Sequence, residues 1–295
     1  DLREGSDKGR IYRIVPEDTP LRPYNFPART DQPQFVKDLS HPNGWVRDHA
    51  HMQLVWNQGD HTIDNQLTAT ALKNRSPLAR LHALSVLSGR DSLDVQTVVE
   101  ALKDEHAEVR RLAIRLSEGL ADTAKAPVIS EVLLRLGKTE QAPQVLLQLA
   151  YSLGEFKTAE VPLSLATILQ RQPDNRYIVG AALSSTSTRS TDVLRHYQIL
   201  TGNTPNTTIL SGLLATSLAA NEQNAISRLA QQLLTSETGP PQIWQFAALN
   251  RVQQLLEQQD TNLQETLGKP AEKEILQQFS SQARVLATND DQPIE

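Results

Sequence analysis

The chain has 295 residues, and its 34 acidic and 29 basic side chains give a formal net charge of −5. This balance argues against a nucleic-acid-binding protein, because such proteins present a dense basic face. The chain has no cysteine, which excludes disulfides, thiolate metal ligands, a thiol nucleophile and covalent haem attachment through Cys-x-x-Cys-His. No apolar run approaches the roughly 18 residues of a membrane-spanning helix, so no transmembrane segment is predicted.

The N-terminal part is predicted to be a strand and a linker. Residues 10–15, Arg-Ile-Tyr-Arg-Ile-Val, are β-branched and aromatic, which is typical of a strand. Residues 16–33 carry five prolines and predict an extended linker. One strand is not stable alone in water, so its partners must lie in a sheet outside this chain or it must pack on the first helices. Residues 1–33 are interpreted as this strand and linker.

A helical pattern begins at Gln34 and predicts one repeat domain over residues 34–289, followed by a polar tail at 290–295. Seven helix pairs are predicted, at 34–57, 61–89, 94–120, 125–154, 158–185, 190–219 and 221–258, and a last helix at 271–286. In each pair, a turn rich in Pro, Asn, Asp or Gly separates a first helix from a second helix. The second helices are predicted to begin near Asn43, Pro77, Ala107, Gln141, Asn175, Pro205 and Pro240.

A short arginine-and-alanine signature recurs on the first three second helices. It reads Val46-Arg47-Asp48-His49-Ala50, Ala79-Arg80-Leu81-His82-Ala83 and Val109-Arg110-Arg111-Leu112-Ala113. The arginines are 33 and 30 residues apart, and a period in this range marks a repeat array. The alanine is expected where paired helices cross, since a small side chain permits close approach. The same register carried forward predicts Leu147 and Gly180 at this position.

The repeat unit resembles the HEAT repeat. An Asp or Asn turn is followed by Val-Arg and then a small residue, and residues 104–110, Asp-Glu-His-Ala-Glu-Val-Arg, are the best match. The predicted fold is all-α, a HEAT-like α-solenoid of about seven helix pairs with an N-terminal strand and a Pro-rich linker. Such arrays usually present a binding or spacing surface.

A second resemblance covers most of residues 1–190. It is carried by residues 3–16 (Arg-Glu-Gly-Ser-Asp-Lys-Gly-Arg-Ile-Tyr-Arg-Ile-Val-Pro), 40–48 (Ser-His-Pro-Asn-Gly-Trp-Val-Arg-Asp), 78–84 (Leu-Ala-Arg-Leu-His-Ala-Leu) and 153–156 (Leu-Gly-Glu-Phe). These segments resemble a family of large planctomycete and verrucomicrobial proteins described as membrane-bound dehydrogenases. In that family a quinoprotein-dehydrogenase-like β-propeller precedes HEAT repeats, and a c-type cytochrome domain commonly comes last.

The resemblance implies a context for the chain and no chemistry within it. The propeller is missing apart from its last strand, so no catalytic or cofactor residue is carried over and no cofactor is expected. The resemblance implies a noncatalytic scaffold in an exported, periplasmic redox protein, with membrane association only through partners. The scaffold would space a propeller dehydrogenase domain from an electron-transfer partner such as a c-type cytochrome. The alternatives are a free-standing protein-binding module and a helical-repeat enzyme that acts in its concave groove.

The candidate partner-binding residues are Arg47, Arg80 and Arg110, because stacking of the repeats would place them in a row. They are interpreted either as an internal ladder, paired with turn acids such as Asp104 and with neighbouring carbonyls, or as a ridge that binds anions or carboxylates. Both interpretations stay open at the level of the sequence.

The histidines and tryptophans are predicted to be structural. His49 and His51 lie two residues apart, near His61, and side chains two apart on a helix point to different faces. A shared metal ion is therefore not expected there. His82 and His106 lie inside repeat signatures and are interpreted as structural. The three tryptophans on predicted second helices are expected to pack in the core, with an aromatic binding site as the alternative; they are Trp45, Trp56 and Trp244.

Overall fold

The structure is a computed structural model of the whole chain. It describes residues 17–18, 27–28, 31–57, 61–186, 189–202, 204–219 and 243–257, and positions 265, 273, 274, 277, 280 and 281. The predicted strand, most of the linker and the polar tail lie outside the described residues. The isolated described positions from 273 to 281 are helical, in agreement with the predicted last helix.

Every regular element within the described residues is a helix, so the predicted all-α class is confirmed. The helices are α1 (Gln32–Asp38), α2 (Gly44–Trp56), α3 (Asp64–Lys73), α4 (Pro77–Gly89), α5 (Val95–Ala101), α6 (Ala107–Ser117), α7 (Ala126–Thr139), α8 (Pro143–Ser152), α9 (Val161–Arg171), α10 (Arg176–Ser184), α11 (Ser190–Thr201), α12 (Thr207–Ala219) and α13 (Ile243–Glu257). Short 3₁₀ turns lie at His61–Ile63, Glu118–Leu120 and Leu153–Glu155.

The described helices form six consecutive pairs, α1/α2 to α11/α12, which we call units one to six. Helix α13 lies where the second helix of a seventh unit was predicted, and the first helix of that unit lies outside the described residues. The linker prediction ended too late, because α1 begins at Gln32 and Pro33 occupies its first turn. Proline is suited to that place, since a helix has no partner for the N–H there.

The helices pack in two rows. The first helices (α1, α3, α5, α7, α9 and α11) each contact the next one in the series, and the second helices (α2, α4, α6, α8, α10 and α12) do the same. One cluster of buried apolar side chains runs through all six units and reaches α13. This is the nearest-neighbour packing that the predicted repeat array requires.

Side-chain caps explain where the second helices begin. The Asn43 side chain accepts a hydrogen bond from the Trp45 N–H, and Asn175 and Asn206 cap α10 and α12 in the same way. Asparagine is among the preferred residues at this position because its side-chain oxygen satisfies N–H groups that the helix leaves free.

In α8 and α10, the buried position equivalent to the signature alanine lies in a different register from the predicted one. Ala50, Ala83 and Ala113 are fully or almost fully buried, seven positions after their N-caps. The seventh positions in α8 and α10 are Leu149 and Ala182, both fully buried. The predicted positions were wrong: Leu147 is half-buried, and Gly180 is exposed, with open space where a side chain would lie. The step had been set too short, because α7 has 14 residues whereas α5 has 7.

Candidate functional site

The three signature arginines make the same contact within their own units. In each, Nη1 lies within hydrogen-bonding distance of the carbonyl oxygens six and five residues earlier, at the turn between the paired helices. The acceptors are His41 and Pro42 for Arg47 (2.8 and 3.0 Å), Asn74 and Arg75 for Arg80 (2.7 and 3.5 Å), and Asp104 and Glu105 for Arg110 (2.8 and 3.1 Å). The arginines thereby close the turns on which the second helices begin.

Two of these arginines also bind an acid in the turn of the next unit. Arg80 Nη2 donates to Asp104 Oδ1 at 2.7 Å, and Arg80 Nε lies 2.7 Å from Oδ2 as an ion-pair contact without a hydrogen bond. Arg110 donates from Nε to Glu140 Oε2 at 2.7 Å and from Nη2 to Oε1 at 2.9 Å. The Arg110–Glu140 pair is the fork-shaped contact with two hydrogen bonds that guanidinium and carboxylate groups favour. The Arg80–Asp104 pair has one hydrogen bond. The two pairs form the internal ladder that one interpretation of the sequence described, and they join unit two to unit three and unit three to unit four.

The turn residues of the ladder are equivalent to one another. Each offers its carbonyl to an arginine, and each side chain accepts the N–H of the residue two positions later. The four are His41, Asn74, Asp104 and Glu140. For Glu140 the arginine at the carbonyl is Arg171 from α9 (2.8 Å), which also donates to the Gly137 carbonyl (2.7 Å). Unit four has no signature arginine, and an arginine from unit five takes its place.

Burial and hydrogen bonding act on the Glu140 carboxyl in opposite directions. Burial alone would raise its pKa, but hydrogen bonds from Arg110 and from the backbone N–H groups of Ala142 and Gln141 hold that pKa below its ordinary value. Glu140 is therefore ionised at neutral pH and contributes a buried charge that depends on Arg110.

Arg47 differs from the other two because no acid among the described residues reaches it. The turn residue equivalent to Asp104 and Glu140 is the neutral Asn74, whose Nδ2 donates to Ser40 Oγ at 2.8 Å. Arg47 Nε is buried and has no hydrogen-bond partner within the described part of the chain. Of the three candidate partner-binding arginines, Arg80 and Arg110 are thus paired internally, whereas the guanidinium of Arg47 donates to carbonyls.

Two further arginines, which the signature did not identify, tie neighbouring units together. The side chain of Arg90 is completely buried, and its Nη1 donates to the carbonyls of Leu54 (2.6 Å) and Asn57 (2.8 Å) in the preceding unit. Arg189 donates to the Phe156 carbonyl at 2.7 Å. Both follow the end of a second helix and reach back to the unit before. In the sequence, these two arginines could have been identified by their position just after a predicted second helix.

The second helices carry exposed apolar side chains on one side. Trp45, Leu78 and Tyr177 take the second position after their N-caps, and Met52 and Tyr151 take the ninth, which is about two turns later on the same side of the helix. Trp56 lies four residues after Met52 and therefore on the same side of α2. We call this side, with these six residues, the second-helix face. Its largest members are well exposed, at 55% for Trp45 and 68% for Tyr177.

The prediction that all three tryptophans pack in the core was wrong for two of them. Trp56, on the last turn of α2, is 68% exposed, and Trp45 stacks on the His49 ring with 5.4 Å between ring centroids. Trp244 is half-buried and packs against the apolar core, as expected. Periodicity placed the tryptophans on second helices correctly but did not settle which side of the helix they occupy.

A pocket of about 330 Å³ opens between α2 and α4 on this face. It is lined by Asp48, His51, Leu78, Leu81, His82 and Ser85. The two imidazoles meet across it, with 3.2 Å between their Nδ1 atoms, and Asp48 Oδ1 lies 3.9 Å from His82 Nε2.

The two imidazoles in the pocket favour the neutral form. Burial lowers the pKa of His51, and Asp48 opposes that shift. Burial, followed by the proximity of His51, lowers the pKa of His82 as well. Both rings are therefore uncharged at pH 7, and one Nδ1–H donates to the other Nδ1.

No family model matches the chain, and no curated protein gives a significant match. Within the described ranges, no helix is both long and apolar enough to cross a membrane. The same residues contain no cluster of three or more histidine, aspartate or glutamate side chains arranged to hold a metal ion.

Proposed function

We propose that the chain is a noncatalytic protein-interaction module that binds its partner through the second-helix face. The observation that carries this proposal is the exposure of large apolar side chains at equivalent positions of α2, α4, α8 and α10. Aromatic and methionine side chains are enriched in protein interfaces, where they supply most of the binding energy. Here Met52, Trp56, Tyr151 and Tyr177 are exposed on three different units.

The wider proposal is that this module spaces a propeller dehydrogenase domain from an electron-transfer partner such as a c-type cytochrome. It rests on the resemblance of residues 1–190 to the dehydrogenase family. The continuous apolar core and the ladder ion pairs are consistent with that role, because a spacer must hold a set distance. The proposal places the parent protein in an exported, periplasmic setting.

The test is calorimetric titration of this chain with a separately produced propeller domain and with the c-type cytochrome of the same complex. Saturable binding of one of them supports the spacer role. Trp56→Ala and Tyr177→Ala should each weaken that binding by tenfold or more. The matched control is Ile199→Ala, since Ile199 is 72% exposed on α11 and belongs to the row of first helices.

Each result of this experiment has one meaning. If neither the propeller domain nor the cytochrome binds, the spacer role is wrong. If a partner binds and the Ile199→Ala variant loses as much affinity as the Trp56→Ala variant, the binding surface is not the second-helix face. Circular dichroism of each variant establishes that the helices are intact before binding is compared.

A further inference from the structure

The packing of α2 against α4 brings together two histidines that are distant in the sequence. His51 and His82 are 31 residues apart, two fewer than the 33 residues from Arg47 to Arg80. They are therefore not equivalent positions of the repeat, and they meet across the contact between the two helices. The pair is not found among histidines that are close in the sequence, such as His49 and His51.

The separation of the two Nδ1 atoms is close to that of two nitrogens bound to one metal ion. Zinc binds imidazole nitrogen at roughly 2.0–2.1 Å with tetrahedral angles, so two nitrogens on the same ion lie about 3.3–3.4 Å apart. The Nδ1 atoms of His51 and His82 are 3.2 Å apart, the ring centroids are 5.4 Å apart, and the rings are inclined at 75°. An opening of the pair by about 0.2 Å would bring the nitrogens to the zinc-ligand separation.

The surroundings of the pair suit a cation. The Asp48 carboxylate lies 3.9 Å from His82 Nε2 and adds negative potential on the side away from the shared nitrogens. Metal-bound imidazoles commonly have such a carboxylate near the second ring nitrogen, where it fixes the tautomer. The pocket of about 330 Å³, which both histidines line, has room for water. Neutral imidazole is the form that ligates transition metals, so no proton has to be lost at pH 7.

We propose that His51 and His82 bind one divalent transition-metal ion of the kind that prefers imidazole, with Zn²⁺ as the first candidate. Both rings bind through Nδ1, and water completes the coordination. The metal replaces the N–H···N hydrogen bond, and the proton of the donating ring moves from Nδ1 to Nε2, so that no net proton is released. This inference concerns a site on α2 and α4 and does not depend on the identity of any protein partner.

The test is titration of the full chain with Zn²⁺, and separately with Co²⁺, whose visible absorption reports tetrahedral coordination. One ion per chain is expected, and His51→Gln and His82→Gln should each weaken binding by tenfold or more. The control is His196→Gln on α11, which should leave the affinity and the stoichiometry unchanged.

A second measurement keeps the inference testable if a variant fails to fold. Imidazole nitrogen NMR of the unaltered chain should show Zn²⁺-dependent shifts at the Nδ1 atoms of two of its histidines. The inference is overturned if the chain does not bind Zn²⁺ or Co²⁺. It is equally overturned if folded His51→Gln and His82→Gln bind the ion as tightly as the unaltered chain, or if the NMR shifts are absent.

Discussion

Arg80 is the residue whose removal should cost the array most, because it holds both a turn and an acid of the next unit. Its side chain is 6% exposed and that of Asp104 is 9% exposed. Arg80→Ala would remove the ion-pair partner of the buried Asp104 carboxylate and the side-chain donor to two turn carbonyls. Breaking a buried pair in this way costs about 3–5 kcal/mol. Urea unfolding followed by circular dichroism measures the change.

The control for this prediction is a pair on the surface. Arg135 and Glu131 lie one turn apart on α7 and are 68% and 75% exposed. Arg135→Ala should change the free energy of unfolding by less than about 1 kcal/mol, because exposed pairs contribute little. Equal losses in Arg80→Ala and Arg135→Ala would mean that the ladder does not stabilise the contact between units.

Glu140 should give the ladder a specific dependence on pH. Its pKa in the folded chain lies below the ordinary value, so the unfolded state binds the proton more readily. The stabilisation is therefore complete above the unfolded-state pKa, and it is lost as pH falls through the lower, folded-state value. We expect Glu140→Gln to be less stable than the unaltered chain at pH 7, with the difference shrinking below about pH 4. Unfolding curves over this range measure it, and a difference independent of pH would contradict the assignment.

Asn74 marks the place where the ladder lacks an acid, and a single substitution can supply one. Asn74→Asp places a carboxylate at the turn position that Asp104 and Glu140 occupy in the following units. It keeps the oxygen that accepts the Ser76 N–H and loses the donor to Ser40. We expect a higher melting temperature, since Arg47 gains a counter-charge. Asn74→Ala, which removes the side-chain contacts and adds no charge, should lower it; the same sign for both variants would contradict the equivalence of the turn positions.

At the scale of the helices, sequence patterns predicted which helices exist and in what order they follow. They were less successful at predicting which residues occupy equivalent positions in successive units. Every described second helix begins within three residues of its predicted start, because prolines and capping asparagines act locally. The predicted position of the signature alanine was wrong beyond unit three. It depends on the length of α7, which no local signal in the sequence fixes. The Arg80–Asp104 pair was foreseen as one of two interpretations. The His51–His82 pair was not, because it depends on packing between two units.

Alanine substitutions at Gly180 and Gly154 are expected to have opposite effects on stability. Gly180 lies within α10, is exposed and has no atom within 4 Å of the place that an added methyl group would take, so Gly180→Ala should stabilise the chain by about 0.5–1 kcal/mol through helix propensity. Gly154 lies against α10, and an added Cβ would meet the Cβ and Cα of Ser185 at 3.0 and 3.2 Å. Gly154→Ala should therefore destabilise it. Thermal unfolding measures both, and a destabilised Gly180→Ala variant would restore the register first predicted from the sequence.

At the scale of the whole molecule, the two rows of helices imply that stability is shared mainly between neighbours. Apart from the ends, each unit packs on the unit before and the unit after, and the arginines tie only adjacent units. In such an array the stability is approximately a sum of unit terms and nearest-neighbour interface terms. A local defect should therefore stay local under native conditions.

Leu84→Ala tests this, because Leu84 is fully buried in α4 at the centre of unit two. Truncation of a buried leucine costs about 2–5 kcal/mol through lost burial and the cavity that remains. Native-state amide hydrogen exchange should speed up in α4 and in α2, α3 and α6, which pack on α4, and stay unchanged in α9, α10 and α11. A uniform increase across all described helices would show that the six units unfold as one cooperative body, and the nearest-neighbour account would then be wrong.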